Sequence, residues 1–406
     1  MTSADPSRDH ARWRARLAGE RLPAAIVDLD AFDRNLDVIL ERLAGTPLRL
    51  ATKSLRVPDL VRRAKDRAKD AMIGLMCFSA EEADWLAGQG FDRLLVAYPT
   101  LQPRALEALA RRAKEGLDVC VAVDSDEAIR AASDAAVRAG ATLGFVICVD
   151  MAWEPLGPRA HIGVLRSPLH RPEDVAALAR RAKDVPGVRC RGLLAYEAQV
   201  AGLQDDSPFS STNAVMSFIR RRSMRDVGRR RVAMVEALRA VGVDPEIVDG
   251  GGTGSVEVST RATGVTEVAA GSGLYKSHLF DYYRDAWMRR LEPSLFFALE
   301  AVRRPTPRHV TCAGGGYVAS GGVGADKHAI PWSPEGVLLV GAEMTGEVQT
   351  PLAVPEGVAI ELGAPVVFRP AKAGEPLERF AEVLLARGDA IVGRAKTYRG
   401  LGLTFL

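Results

Sequence analysis

The sequence predicts a (β/α)8 barrel joined to a smaller, mainly β domain. From about residue 48 to 270, short apolar runs alternate with amphipathic segments, which is the pattern of βα units and a parallel sheet. After about residue 285 the helical periodicity fades, and short strand-like runs separated by Gly and Pro replace it. The length of 406 residues also exceeds what one hydrophobic core usually organises. We therefore predict a barrel domain over 31–284 and a β domain formed by 1–30 and 285–406.

Eight candidate strands support the barrel. They lie at 48–53, 72–79, 93–98, 118–124, 143–149, 190–196, 246–251 and 266–270. The segments between them, such as SDEAIRAASDAAVRAG, have apolar residues three and four positions apart and often end at Gly, which predicts helices. A doubly wound sheet is the alternative architecture, but no GxGxxG turn follows an early strand to support a dinucleotide site.

One early apolar run, AAIVDLD at 24–30, has no place in a count of eight barrel strands. We expect it to pair with the β domain instead. The strands of that domain are predicted within VLLVGAEMT, EGVAIELGAPVVFRP and AIVGRAKTYRG. The run EMTGEVQTP, with Glu347 and Gln349, is interpreted as a strand and turn of the same domain.

Composition limits the class of partner. The 54 basic and 51 acidic residues leave a formal net charge of +3, too small to indicate nucleic acid or a membrane surface, so we expect a small-molecule substrate. The five cysteines are widely spaced without a CxxC pair, which predicts reduced, buried thiols. The polar first twenty residues and the lack of an 18-residue apolar run indicate neither secretion nor membrane insertion, and we expect a cytoplasmic protein.

A lysine stands at the end of the first barrel strand. Lys53 closes the run LATKS, where it departs from an apolar pattern. Barrel active sites lie at the C-terminal ends of the strands, and a partly desolvated lysine there can lose its proton and form a Schiff base with an aldehyde cofactor. The alternative is a strand-end lysine that extends its ammonium group into solvent.

Two glycine-rich runs follow the seventh and eighth strands. Their candidate anion-binding residues are Gly251, Gly252, Thr253, Gly254, Ser255, Gly273 and Tyr275. Glycines let backbone amides approach an anion closely, and hydroxyl groups add donors. Barrels often hold phosphate in the loops after these two strands, so the runs predict a phosphate site. Each run alone is equally compatible with a simple turn.

Six motifs then form a collinear series from about residue 22 to 275. They are LPAAIVDLDAFDRNLDVI, LRLATKSLRVPDL, RAHIGVLRSPL, GLLAYEAQ, VDGGGTGS and TEVAAGSGLY. In order and spacing the series resembles the alanine-racemase-type enzymes that depend on pyridoxal 5′-phosphate (PLP), and within them the D-threonine aldolase and D-serine dehydratase branch. The resemblance implies PLP as cofactor, a homodimer, and a first motif that belongs to the β domain.

The resemblance also implies residue roles. Lys53 corresponds to the lysine that carries the cofactor as a Schiff base, and Tyr196 to the residue that lies against the pyridine ring. The family's phosphate-binding positions are matched by Gly252, Thr253, Gly254 and Tyr275. Arg159 resembles an arginine near the cofactor or substrate carboxylate, and Arg166 is the alternative for that place. A strand-end tyrosine can also be a rim residue, and a loop arginine a solvated one.

The sequence departs from this branch in its metal-binding residues. Members commonly carry a metal-binding His-x-Cys or His-x-Asp pair late in the β domain, but the matching segment VVFRPAKAGEP has Pro370 and Lys372, neither of which is a metal ligand. We therefore predict no metal site. The alternative is a displaced site formed by His161, His278, His309 and His328, although their spacing has no two-ligand signature. Leu55 also stands where the family often has a histidine. A glycine-rich loop, alternatively a flexible surface loop, is our candidate for a substrate-side group from the partner's β domain through Asp326, Lys327 and His328.

An arginine cluster occupies a long helical segment. Its members are Arg220, Arg221, Arg222, Arg225, Arg229, Arg230 and Arg231. No aromatic residues interleave for base stacking, so we interpret the cluster as a solvated helix face or a subunit contact rather than a nucleic-acid site.

Three functions are compatible with these observations. The first is a PLP-dependent lyase that acts on a small D-amino acid, by aldol cleavage or deamination of a β-hydroxy substrate. The second is a PLP-dependent racemase without a metal, although the sequence places no clear second base. The third is a PLP-binding protein without catalytic activity, which the presence of a full second domain disfavours.

Overall fold

The computed structural model describes residues 8–322 and 324–405. Its helices are α1 (His10–Arg16), α2 (Leu29–Leu43), α3 (Pro58–Ala68), α4 (Ala80–Gly88), α5 (Pro103–Lys114), α6 (Asp126–Ala139), α7 (Pro172–Ala182), α8 (Ala198–Ala201), α9 (Asn213–Ala240) and α10 (Val256–Thr260). Its strands are β1 (Ala24–Asp28), β2 (Leu48–Ala51), β3 (Met72–Cys77), β4 (Leu94–Val96), β5 (Val119–Val123), β6 (Leu143–Cys148), β7 (Pro155–Pro158), β8 (Val188–Leu194), β9 (Ile247–Gly250), β10 (Glu267–Ala270), β11 (Leu295–Thr306), β12 (His309–Ala313), β13 (Ile330–Ser333), β14 (Leu338–Leu339), β15 (Gln349–Ala353), β16 (Pro365–Arg369), β17 (Glu382–Arg387) and β18 (Ala390–Lys396).

Local sequence signals fix many of the helix ends. Ser79 and Ser125 precede α4 and α6, and each hydroxyl accepts a hydrogen bond from a backbone N–H three residues later. Such caps satisfy donors that the first helical turn leaves free. Gly140 ends α6 in the left-handed region, with φ of 64°, which glycine adopts without a steric penalty. The serine and glycine positions therefore set where βα units begin and end.

Eight parallel strands close into a barrel. The order is β2, β3, β4, β5, β6, β8, β9, β10 and back to β2. Its interior contains an apolar layer of Leu95, Cys120, Ala122, Val146, Cys148, Leu194 and Ile247. A buried ion pair between Arg49 and Glu267 lies on neighbouring strands, with Arg49 Nη2 donating to Glu267 Oε2 over 2.9 Å. The prediction of a (β/α)8 barrel is confirmed, including all eight of its strands.

The remaining strands form a second sheet. Its order is β14, β15, β12, β11, β1, β17 and β18, and β16 adds to β11 and also pairs with β13. β1 lies between β11, to which it is antiparallel, and β17, to which it is parallel. The early apolar run at 24–30 thus belongs to the mainly β domain, as predicted. The boundaries 31–284 for the barrel and 1–30 plus 285–406 for the β domain stay a prediction.

Several strands are shorter in the structure than the sequence predicts. The first barrel strand ends at Ala51, and Lys53 lies in a single 3-10 turn, Thr52–Ser54, that follows it. Within VLLVGAEMT only Leu338–Leu339 forms a strand, and the chain then turns through Gly341.

All five cysteines are free, in agreement with the sequence, and Cys190 is the only one not fully buried. Across 8–322 and 324–405, no helix is long and apolar enough to cross a membrane.

Candidate active site

A cavity of about 560 Å³ opens at the C-terminal ends of the barrel strands. The barrel contributes residues from the ends of β2, β3, β4, β8, β9 and β10. The β domain contributes Ser320 and the segment 371–375, so both domains form the wall of one cavity. A cavity of this size, at this face of a barrel, is where an enzyme of this architecture binds its ligands.

Lys53 reaches the cavity from the turn after β2. Its Nζ donates a hydrogen bond of 3.1 Å to the hydroxyl of Tyr98, which follows the end of β4. The position agrees with the sequence prediction, but the environment does not. Lys53 is exposed rather than partly desolvated, because its side chain stands in a cavity that is open to solvent.

Tyr98 was not singled out by the sequence. Burial alone would raise the pKa of its phenol, but the positive charges of Lys53 and Arg166 outweigh burial and lower that pKa. The Arg166 guanidinium lies 5.6 Å from the centre of the Tyr98 ring. Tyr98 is therefore placed and tuned to exchange a proton with the Lys53 amine.

Tyr196 forms one side of the same cavity, directly after β8. Burial raises the pKa of its phenol to about 12, so the ring presents a neutral aromatic face. Arg166 lies 4.8 Å from the centre of that ring and lines the cavity. Arg159 is exposed and is not among the cavity residues. Arg159 and Arg166 were the two candidates for an arginine near the cofactor or substrate carboxylate, and Arg166 is the one that reaches the site.

The loop after β9, residues 251–254, forms a concave surface, the glycine cradle, whose backbone geometry requires glycine. Gly251 has φ of 91°, in the left-handed region. A side chain at Gly252 would lie 3.1 Å from the Tyr196 ring, and one at Gly254 would lie 2.1 Å from the carbonyl oxygen of Ala201. Gly251, Gly252 and Thr253 line the cavity, as the sequence predicted for a ligand loop, whereas Gly254 packs behind it.

Glu197 holds this loop in place through hydrogen bonds. Its carboxylate accepts hydrogen bonds from the Gly251 N–H over 3.1 Å and from the Ser255 hydroxyl over 2.9 Å. Arg231 on α9 completes the network through Nη2, 2.8 Å from Glu197 Oε2. Ser255 was predicted to bind the cofactor, but its hydroxyl is committed to Glu197 and it does not line the cavity. It supports the loop instead.

The arginine cluster on α9 divides into two classes. The interpretation as a solvated face fits its exposed members, Arg221, Arg222, Arg225 and Arg229. It is wrong for Arg220 and Arg231, which are 6% and 1% exposed and form ion pairs inside the protein. The seventh member, Arg230, is partly buried and is bound by Asp226 and by the carbonyl of Ala152. A buried guanidinium requires a paired carboxylate, and the sequence did not show that Asp205 and Glu197 lie opposite these arginines.

The loop after β10 completes the cradle through its hydroxyl and backbone groups. Ser272 Oγ lies 2.9 Å from Ser54 Oγ, and both serines line the cavity. The Gly273 N–H donates to Thr253 Oγ1 over 3.0 Å, which ties the two glycine-rich loops together. Tyr275, predicted at the phosphate, is fully buried away from the cavity, and its hydroxyl donates to the Leu55 carbonyl over 3.0 Å. It anchors the segment after Lys53 instead.

The β domain contributes a lysine to the site. Lys372 Nζ donates to the Ser320 carbonyl over 2.7 Å and lies 3.9 Å from Glu375. Burial, together with the positive charges of Lys327 and Lys53, lowers the pKa of Lys372 although Glu375 opposes the shift. Among the described residues, no group of three or more His, Cys, Asp or Glu side chains could hold a metal.

The glycine-rich loop of the β domain reaches this site through Ser320, but not through the three residues that the sequence suggested. The Lys327 amine pairs with Asp326, and His328 Nδ1 lies 2.7 Å from the hydroxyl of Thr345. None of these three residues is among those that line the cavity. The polar residues of the β domain that line the cavity within one chain are Ser320, Lys372 and Glu375.

The residues of the cavity fit PLP. A primary amine, an aromatic face and a glycine cradle with hydroxyl groups surround one space of suitable size. Lys53 would hold the aldehyde carbon, Tyr196 would lie against the ring, and the loops after β9 and β10 would hold the phosphate. Among the site residues that the sequence missed, Tyr98 follows the end of β4, and the strand-end rule applied to VAYPT would have identified it.

Comparisons with known proteins agree with this fold. The chain is 25% identical over 302 residues to a 3-hydroxy-D-aspartate aldolase of Paracoccus denitrificans (strain Pd 1222), covering 73% of this chain and 72% of that protein. It is 27% identical over 299 residues to a D-threonine aldolase of Arthrobacter sp, covering 72% and 71%. The crystal structure of D-threonine aldolase from Filomicrobium marinum superposes with a TM-score of 0.75 at 21% identity, covering 94% of this chain and 95% of that chain, which shows the shared fold.

Enzymes with the alanine racemase fold and D-threonine aldolases depend on PLP, and PLP is the cofactor of this chain. Residues 27–278 match the family model described as alanine racemase, N-terminal domain, and the chain belongs to that family.

Proposed function

We propose that the protein is a PLP-dependent lyase that acts on a small β-hydroxy amino acid of D configuration, with Lys53 as the residue that carries the cofactor. The observation that carries the proposal is the shared cavity: the Lys53 amine, the Tyr196 ring and the glycine cradle all face one space at the barrel mouth. The relatives named as aldolases of D-threonine and 3-hydroxy-D-aspartate support the choice of reaction class.

When bound, PLP supplies an electron sink for the pair released as a bond to the substrate's α-carbon breaks. The residues of this chain do the remaining work. Lys53 and Tyr98, 3.1 Å apart, form a pair that can take up and return a proton. The cation of Arg166, beside both tyrosine rings, is positioned to bind a carboxylate. We assign to Arg166 the role for which Arg159 was the first candidate.

The charge of the cavity indicates the kind of substrate. Four cationic side chains line it, Lys53, Arg56, Arg166 and Lys372, and Arg56 is paired with Glu378. The carboxyl groups that line it are Glu375 and Asp249. Lys372 lies on the β domain, and we assign it to the side chain of the substrate rather than to the cofactor. These charges favour an amino acid whose side chain is small, hydroxylated and polar or anionic.

The geometry does not favour the racemase alternative. A racemase exchanges protons on both faces of the α-carbon, and so it needs two groups on opposite sides. Tyr98 is hydrogen-bonded to Lys53, so the two share one side of the cavity. The homodimer, the cytoplasmic location and the contribution of a partner's β domain stay predictions from the sequence.

Product analysis tests the proposal. The PLP-loaded protein is incubated with the D and L forms of serine, threonine and 3-hydroxyaspartate, and the products are separated on a chiral column. A lyase yields an aldehyde with glycine, or a 2-oxo acid with ammonia, from the D forms. Appearance of the opposite enantiomer alone would identify a racemase, and absence of any turnover would favour a binding protein. Lys53→Ala is the control and should be inactive.

A further inference from the structure

An unusual carboxyl group lies in the wall of the cavity below the cradle. Asp249 is on β9 two residues after Ile247, so both side chains point into the barrel. Asp249 is 1% exposed, and it belongs to the residues that line the cavity. Within the described chain, neither of its carboxyl oxygens has a hydrogen-bond partner. A buried polar group of this kind is costly unless a partner arrives.

The neighbouring side chain on β10 is another carboxyl group, which has no proton to donate when ionised. Glu267 is paired with Asp249 in the register of β9 and β10, but its carboxylate is already bound by the Arg49 guanidinium. Burial raises the pKa of Asp249 well above its ordinary value, and the negative charge of Glu267 adds to the effect. Both effects favour the protonated, neutral form of Asp249, which has a proton to donate.

Small residues line the cavity next to Asp249. Next to β9, the wall formed by β10 and β2 is lined by the alanines Ala269, Ala270 and Ala51. Gly251, at the end of β9, adds no side chain. A ligand that reaches this part of the cavity therefore meets the Asp249 carboxyl group, with these small residues on one side and Leu194 of β8 on the other.

We propose that Asp249 is the partner of the pyridine nitrogen of PLP. This inference rests on the proposed function, because it requires PLP to be held by Lys53 and by the glycine cradle. The ring nitrogen lies opposite the aldehyde-bearing carbon, so a ring joined to Lys53 at the rim directs its nitrogen away from that lysine. Asp249 and Glu375 are the two carboxyl groups among the described cavity residues, and Glu375 is engaged at the rim by the Ser320 hydroxyl over 3.0 Å.

The contact needs only the proton of the Asp249 carboxyl group. The Asp249 carboxyl gives its proton to the ring nitrogen, which leaves a carboxylate beside a pyridinium ion, and no proton enters or leaves the site. The resulting charge-assisted hydrogen bond gives one of the two buried oxygens a partner. A positively charged ring withdraws electrons more strongly, and Asp or Arg partners of this nitrogen are the way in which proteins set that property.

The test uses PLP labelled with ¹⁵N in the ring. The protein is loaded with labelled PLP, attachment to Lys53 is checked by borohydride reduction and peptide mapping, and the ¹⁵N chemical shift is followed from pH 6 to 9. We expect the wild-type nitrogen to resonate at the protonated position throughout. In Asp249→Asn the side chain keeps its shape but has no proton to give, so the nitrogen should move to the unprotonated position. Glu375→Gln is the matched control and should leave the nitrogen protonated.

The possible results separate this inference from the proposed function. PLP that does not attach to Lys53 would contradict both. PLP attached to Lys53 with an unprotonated nitrogen in the wild type would overturn only the role of Asp249, and this result needs no variant and so does not depend on whether Asp249→Asn folds. A nitrogen that stays protonated in Asp249→Asn, or that loses its proton in Glu375→Gln, would overturn it as well.

Discussion

Tyr98 is the residue that contacts the Lys53 amine most closely, and its phenol lies between two cations. Replacement by phenylalanine keeps the ring and removes the ionisable group. We expect Tyr98→Phe to lower kcat by about 100-fold or more, the usual contribution of a general acid or base, with a smaller change in KM.

The pH profile makes this prediction specific. Because the neighbouring charges lower the pKa of the phenol, the wild-type rate should rise over a pH range below that of an ordinary tyrosine, and Tyr98→Phe should lose that rise. Steady-state kinetics between pH 6 and 10 would show it. The control is Tyr317→Phe, in the β domain outside the cavity wall. An unchanged kcat in Tyr98→Phe would remove Tyr98 from the proposed proton exchange.

Lys372 gives a second prediction for a single residue. Its amine is the cation that the β domain contributes to the cavity wall. We expect Lys372→Met to lower kcat/KM for 3-hydroxyaspartate relative to threonine by about tenfold, which corresponds to about 1.4 kcal/mol of discrimination. Lys327→Met is the matched control, because Lys327 pairs with Asp326 outside the cavity wall. Equal losses for both substrates would show that Lys372 does not recognise a second negative charge.

Among the elements, α9 has a structural role that its composition hides. It places Arg231 under the glycine cradle, where the guanidinium neutralises the buried carboxylate of Glu197. Arg231→Met would leave that carboxylate without a counter-charge. Because an uncompensated buried charge is strongly unfavourable, we expect a loss of about 3–5 kcal/mol in the free energy of unfolding, measured by urea denaturation.

Two further variants calibrate that loss. Arg229 is on the same helix, and its side chain is 82% exposed, so Arg229→Met should change stability by less than about 0.5 kcal/mol. The double variant Arg231→Met with Glu197→Gln removes both charges and should recover part of the stability. If Arg231→Met and Arg229→Met were equally stable, the network would not support the cradle.

The elements also show where sequence analysis succeeds. Barrel strands and helices have local periodicity, so eight apolar runs and their amphipathic partners could be identified without a structure. The segment from 151 to 170 has no such periodicity, and for that reason the choice between Arg159 and Arg166 stayed open. Tyr275 was assigned to the phosphate because its motif follows β10, but the chain turns there and directs the ring toward Phe32 in the core.

At the scale of the whole molecule, the β domain is joined to the barrel by a buried contact. Tyr398, near the C-terminus, donates a hydrogen bond of 2.7 Å to Glu82 on α4. Glu82 also accepts hydrogen bonds from the Phe78 N–H and the Thr52 hydroxyl, so the segment before Lys53 is part of the same network. The Glu82 side chain is fully buried. This contact makes the packing of the two domains sensitive to one carboxyl group.

The sign of the pH dependence follows from that burial. Burial raises the pKa of Glu82 from 4.5 to about 7, although the three hydrogen bonds oppose the shift. The folded protein therefore keeps a proton that the unfolded chain releases, and stability falls as pH rises from about 4.5 to 7, by about 3 kcal/mol in total. Glu82→Gln should flatten this part of the stability profile. Glu81→Gln, at an exposed neighbour, should leave the slope unchanged, and equal slopes in all three proteins would contradict the argument.

Contacts of this range are what the sequence could not predict. Glu82 and Tyr398 are 316 residues apart in the sequence. No local pattern indicates which side chains meet over such a separation. Lys53, Tyr196 and the cradle glycines could be predicted because strand ends and glycine runs are local features. Asp249, Glu197 and Lys372 could not, because their roles depend on neighbours from other strands or from the other domain.

The central claim is that Lys53 carries PLP at the mouth of the barrel. Its most direct test is the absorption spectrum of the purified, PLP-loaded protein before and after borohydride reduction, followed by mapping of the labelled peptide. We predict a band that reduction removes, with the label fixed on Lys53 and absent from Lys53→Ala. A label on another lysine, or a protein that binds no PLP, would contradict the claim.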